Sequence, residues 1–212
     1  MHFHIITLFP ESIEGYLESS ILGRAQKDKK IKISYYNPRD FTKLKNKRVD
    51  QKPYGGGPGM VIEVASVVSA VEKAIGRKKN VLVVFFSPGG EQFTNTHART
   101  YIKKYKHVVF ICGHYEGVDA RVKKIFNAKE ISVGPFVLTG GELPAALVID
   151  VMARQIKGVL GSFESLEEER VSNKDSYTRP EVFIHKKKKY VVPEVLLSGH
   201  HKNIEAWKKG EK

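Results

Sequence analysis

Val81-Leu82-Val83-Val84-Phe85-Phe86-Ser87-Pro88-Gly89-Gly90 is an apolar run that stops abruptly on small and rigid residues. β-branched and aromatic side chains over such a length read as a strand buried on both faces, and the proline and glycines beyond it read as a turn. The same pattern recurs at Phe3–Leu8, Ile31–Tyr36 and Val108–Cys112, each bounded by Gly, Pro, Asn or charged residues. Helical spacing fills the intervals at Glu11–Ala25, Val64–Ile75, Thr96–Tyr105 and Val118–Phe126. Strands alternating with helices predict an α/β fold, a mainly parallel sheet covered by helices on both faces.

The texture changes from Gly140 onward. Glu142–Ile156 reads as one more helix, with Leu143, Leu147, Val148, Val151 and Met152 as its apolar stripe, and Gly158-Val159-Leu160-Gly161 stops it. Charged residues with few apolar partners then follow, which is linker composition. The expected organisation is a main domain over 1–161, a linker over 162–176, and a small C-terminal helical region over 177–212. That last region holds Lys186–Lys189, an apolar stretch Val191–Leu197 and a short helix at Asn203–Lys209, and is too short to bury much of its own surface.

Lys and Arg number 36 against 23 acidic residues, a formal charge of +13 that favours a polyanionic partner such as nucleic acid. Charge alone does not separate RNA, DNA and an acidic membrane surface. No apolar stretch approaches the roughly 18 to 20 residues of a membrane helix, so no membrane role is expected. The single cysteine, Cys112, rules out an internal disulfide and a four-cysteine zinc site. It closes an apolar run and reads as a buried thiol. A cytoplasmic location fits these features.

Glycine is plentiful, yet Tyr54-Gly55-Gly56-Gly57-Pro58-Gly59-Met60 has neither a P-loop ending nor dinucleotide-fingerprint spacing. It remains a loop whose backbone can lie against a ligand. Three further glycine-bearing loops are each expected to follow a strand: Ser87-Pro88-Gly89-Gly90, Gly113-His114-Tyr115-Glu116-Gly117, and Gly134-Pro135-Phe136-Val137-Leu138-Thr139-Gly140-Gly141-Glu142. Open α/β sheets bind ligands beyond the carboxyl ends of their strands, so these segments are expected to share a pocket. Tyr115 and Phe136 would offer it apolar faces.

Seven segments together carry a resemblance to a known family. They are Leu8-Phe9-Pro10-Glu11, Pro38-Arg39-Asp40-Phe41, Val49-Asp50 with Lys52–Met60, Cys112–Asp119, Leu138–Ala145, Gly158–Gly161 and Tyr177–Val182. In order and spacing the chain resembles the bacterial tRNA (guanine-N1)-methyltransferases acting at tRNA position 37, the TrmD family of the knotted SPOUT class. The resemblance implies a deep trefoil knot in the α/β domain, an obligate homodimer with its active site at the subunit interface, and S-adenosylmethionine as methyl donor. It also implies magnesium in activity, although no residue is assigned as a metal ligand. Relatives continue with further helices after Trp207, so the C-terminal helical region is expected to be truncated.

By the same resemblance the donor would lie against Phe86, Ser87 and Pro88, against Gly113, Tyr115, Glu116 and Gly117, and against Val133, Gly134, Pro135, Phe136, Val137 and Leu138. Gly140, Gly141 and Pro144 complete that set. Asp50, Tyr54, Gly59, Arg179 and Lys202 would contact tRNA. Guanine N1 is protonated at neutral pH, so its attack on a sulfonium methyl needs a general base, and the charge developing on O6 needs a fixed cation. The matching positions are Glu169, preceded by Glu168, as base, and Arg154 as cation. Two departures stand out: Glu169 replaces the family's aspartate, and Pro135 replaces another, removing a backbone N–H and a carboxylate from the donor loop. They leave two other readings open, a tRNA-binding protein without catalysis and a methyltransferase acting on another tRNA base or on a ribose hydroxyl.

Overall fold

The structure, a computed structural model, describes residues 1–160 and 175–209. The chain divides into two compact units, Met1–Leu160 and Gly161–Lys212.

In the first unit the elements are β1 (His2–Ile6), α1 (Glu11–Leu17), α2 (Ser20–Lys27), β2 (Lys32–Tyr36), β3 (Asp50–Gln51), β4 (Val61–Ile62), α3 (Val64–Ile75), β5 (Val81–Gln92), α4 (Asn95–Lys104), β6 (His107–Ile111), α5 (Arg121–Ile125), β7 (Lys129–Ser132) and α6 (Glu142–Arg154). The main sheet runs β2-β1-β6-β5-β7, and all its pairings are parallel. Alternate side chains of each strand enter different cores, as the two-residue period of a strand requires. Phe3, Ile5, Leu82, Val84, Val108 and Phe110 pack with α1, α2, α4 and α6. Ile6, Val83, Val109 and Ile111 pack on the other side with α3 and α5. Burial on both faces is why these strands are continuously apolar.

Several local expectations are corrected. Glu11–Ala25 is two helices, because the backbone turns out of helical geometry at Ser20, whose φ is 47°; no proline or glycine marks that break. Ser87–Gly90 does not leave the sheet but is a bulge inside β5, where the pairing to β7 jumps from Phe86↔Ile131 to Glu91↔Ile131. A side chain at Gly90 would put its Cβ 2.7 Å from the carbonyl carbon of Glu130, so glycine is what lets the strands close again after the bulge. Strand β7 begins on Lys129-Glu130, charges that hide it from an apolar-run search. Val118–Phe126 is helical only over Arg121–Ile125, since Val118 instead bridges to Ile62.

The second unit is not purely helical, which corrects that expectation. It contains a hairpin of β8 (Val182–His185) and β9 (Lys188–Val191), followed by α7 (Glu194–Leu197) and α8 (His201–Lys209). The lysine run is the hairpin's turn and second strand: Lys186 and Lys187 both have positive φ, 47° and 65°. That is the backbone sense that follows the natural twist of paired strands. Tyr177 and Trp207 rings lie 6.2 Å apart in this unit.

Candidate functional site

Strands β5, β6 and β7 run parallel, and the bulge inside β5 meets the segments that leave the carboxyl ends of β6 and β7. They enclose an open cavity of about 220 Å³. Phe86, Ser87 and Pro88 form one wall, Gly113 to Gly117 a second, and Ile131 to Gly134 with Phe136 to Gly141 and Pro144 the third. Of the residues expected around the donor, only Pro135 is absent from this lining.

Each wall is held by bonds its own sequence supplies. The Gly113–Gly117 turn is closed by Gly117 N–H donating to His114 O at 2.8 Å, with Tyr115 at φ 58°. The buried Ser132 hydroxyl donates to Gly134 O at 3.0 Å and accepts from Gly134 N–H at 3.2 Å, setting the direction in which the chain leaves β7. The returning chain then runs against the Gly113 turn: Gly141 N–H donates to Gly113 O at 2.9 Å, and Gly140 bridges to His114. A Cβ on Gly141 would lie 2.6 Å from Cys112 Cα, and one on Gly140 would strike the side chains of His114 and Glu142. The glycines permit a closeness of two backbones that no other residue allows.

Beneath the cavity lies a polar knot of side chains that sequence reasoning missed. Glu142, the first residue of α6, is buried. Its Oε1 accepts a hydrogen bond from Thr7 Oγ1 at 2.6 Å, and its Oε2 lies 3.0 Å from His114 Nε2. The Phe9 ring packs edge-on to His114 at 4.7 Å. A buried carboxylate so paired ties the exit of β1 and the Gly113 turn to the start of α6. Glu142 closes a glycine motif in the sequence, and only that position could have flagged it. Cys112 is buried, and its burial, reinforced by Glu142, pushes the thiol well above its usual value, so it is no nucleophile.

The Tyr54–Met60 loop joins β3 to β4 and is anchored at the rim. Glu116 N–H donates to Met60 O at 3.0 Å, and Ile62 N–H to Gly117 O at 2.9 Å. A side chain at Gly59, where φ is 83°, would strike the Glu116 carboxylate. Tyr54 is fully exposed at the loop's tip. Asp50 is half-buried at the base of the loop, its backbone carbonyl accepting from Arg48 Nε at 3.0 Å.

Arg154 is the last residue of α6 and half-buried. The helix starts at the cavity, so Arg154 lies roughly 15 Å along the axis from Pro144 at 1.5 Å per residue. Arg179 and Lys202 are exposed in the second unit. Glu168 and Glu169 lie outside the described residues. Among those residues no helix is long and apolar enough to cross a membrane.

A sequence profile described as "tRNA (Guanine-1)-methyltransferase TrmD" matches residues 1–212. Among curated proteins, the tRNA (guanine-N(1)-)-methyltransferase of Carboxydothermus hydrogenoformans is 46% identical over 213 residues, covering 99% of this chain and 81% of the relative. The protein of the same name from Buchnera aphidicola is 42% identical over 210 residues, with 97% and 87% covered. That of Campylobacter jejuni is 40% identical over 212 residues, with 98% and 90% covered.

Proposed function

This chain belongs to the tRNA (guanine-1)-methyltransferase family, and on that premise we propose that it transfers the methyl group of S-adenosylmethionine to N1 of guanosine 37 in tRNA, next to the anticodon. The observation that carries the reading is the convergence of three glycine-bearing segments, far apart in sequence, on one cavity. The residues present fit the donor. Main-chain N–H and C=O groups of Gly113–Gly117 and Val133–Leu138 suit an adenine edge and ribose hydroxyls, and the exposed Tyr115, Phe136, Val137 and Leu138 suit its apolar parts.

When bound, S-adenosylmethionine supplies an electrophilic sulfonium methyl carbon. Against it this chain must present a guanine with N1 deprotonated, and we assign that proton to the Glu169 carboxylate by correspondence with the family. Arg154 is assigned to O6, where its guanidinium neutralises the charge that grows as the proton leaves. An arginine about 15 Å from the cavity along its own helix serves a second copy's cavity better than its own. Together with the half-open, apolar-walled cavity, this supports a homodimer with its active site between subunits. The deep trefoil knot follows from family membership, and the close passage of Gly141 against Cys112 and Gly113 supports it.

Cytoplasmic residence suits a tRNA-modifying enzyme. Magnesium prefers oxygen ligands, whereas the one group of candidate ligands among the described residues is three histidines at the far end of the sheet.

The test is incubation with labelled donor and unmodified tRNA bearing guanosines at 36 and 37. Label mapped to N1 of guanosine 37 supports the proposal; tRNA binding without product, or product on another base or a ribose, replaces it.

A further inference from the structure

His2 and His4 project from the same face of β1, and His107 opens β6 in register with His2. One ring nitrogen from each lies within 4.8 Å of the other two. His4 Nε2 and His107 Nδ1 are 3.3 Å apart, long for an N–H···N hydrogen bond. It is about the edge of a tetrahedron whose nitrogens sit at the roughly 2.0 to 2.1 Å typical of zinc. Side-chain partners flank two of the rings: His2 Nε2 lies 2.9 Å from Ser34 Oγ, and His4 Nδ1 lies 3.3 Å from Tyr36 OH. Outer hydrogen bonds of this kind fix the tautomer and orientation of metal-ligating imidazoles. His4 is fully buried while His2 and His107 are half-exposed, which leaves one side of the cluster open to solvent.

We propose that His2, His4 and His107 bind a single borderline divalent ion of the zinc type, three imidazoles with a fourth position for water, at the amino end of the sheet opposite the cavity. The role is structural, a clip across the central strands β1 and β6 that Ser34 extends to β2. Lys32 and Lys78 face the cluster. Their charge opposes any dication, so only an ion that gains strongly from bonding to nitrogen, as zinc does and magnesium does not, offsets it.

The full chain, stripped with chelator, is titrated at pH 7.5 with zinc and separately with magnesium. We expect one zinc equivalent bound, at least tenfold weaker binding in the His2→Asn and His107→Asn variants, and no magnesium binding. Zinc should raise the Tm of the parent by several degrees and leave that of the His2→Asn, His107→Asn double variant unchanged. A His200→Asn, His201→Asn variant should behave as the parent, since those histidines belong to the second unit. Cobalt substituted into the unaltered protein checks the geometry without any mutation. An intense visible band of tetrahedral cobalt is expected; a weak octahedral spectrum, absence of a bound equivalent, or binding undiminished in the double variant overturns the site.

Discussion

Thr7 Oγ1 donates a 2.6 Å hydrogen bond to the buried carboxylate of Glu142, joining the end of the first strand to the start of the last helix of the unit. The two residues lie at opposite ends of the unit's sequence, and the Gly113 turn is clamped between them through His114. Glu142→Ala leaves the Thr7 hydroxyl and His114 without this partner and should cost about 1 to 3 kcal/mol. Urea unfolding reads that loss, and donor affinity by equilibrium dialysis should fall with it.

Gly141→Ala should be worse tolerated than its small size suggests. The new Cβ would meet backbone atoms, 2.6 Å from Cys112 Cα and 3.0 Å from Gly113 N. A stability loss of about 1 to 3 kcal/mol is expected, with donor binding lost in step. Gly15→Ala, inside α1 with nothing within 4 Å of the new atom, should instead stabilise by about 0.5 to 1 kcal/mol. Thermal melts of both variants check the contrast.

Acid should destabilise the first unit before its carboxylates titrate. His2 and His4 sit at about 4 and 3 in the folded chain, mainly through burial, whereas unfolded histidine titrates near 6.5. Between those values the unfolded chain holds more protons, so stability is complete above about pH 6.5 and falls as pH drops toward 4 and then 3. Urea midpoints measured with chelator present should decline between pH 6.5 and 5, and His2→Asn should flatten the slope.

The β8–β9 turn should contribute affinity for tRNA without sequence preference. Lys186→Asn with Lys187→Gly keeps residues suited to positive φ while removing two cations. Binding should weaken for every tRNA alike, and the slope of log affinity against log salt should shrink by roughly 1 to 2 units. Filter binding from low to moderate salt measures both; an unchanged slope would remove the hairpin from the interface.

Glu169→Gln should cut single-turnover methyl transfer by about 10² to 10⁴ while leaving donor binding intact, as loss of a general base does. An unimpaired enzyme would pass the role to Glu168 or to another group.

The parallel sheet was legible because its inner strands are buried on both faces and so read as apolar runs. The cavity was legible because glycine segments interrupt or follow strands, although the one in β5 proved to be a bulge and the strand before the third was not itself seen. What stayed hidden has physical causes. β7 begins on two charged residues, Lys129-Glu130, and the partner of Glu130 comes from α5: Glu130 Oε2 accepts from Lys123 Nζ at 2.8 Å. The β5 bulge reads as a turn until its partner strand is known. Glu142 and His114 meet only through the tertiary fold, and His2, His4 and His107 come from strands whose adjacency no local pattern announces. Expecting helix alone in the C-terminal region failed because Lys186 and Lys187 turn the chain without a glycine or proline to mark the place.

The sheet order places the first strand to be synthesised in the interior, flanked on both edges. β1 finds one neighbour in β2, but its other edge stays open until His107–Ile111 is made. On the ribosome, Phe3 and Ile5, fully enclosed in the finished protein, therefore wait for half the polypeptide before their second flank is covered. An exposed apolar edge of that kind invites pairing with other nascent chains. Completion of the first unit's sheet is thus set by the arrival of one late segment.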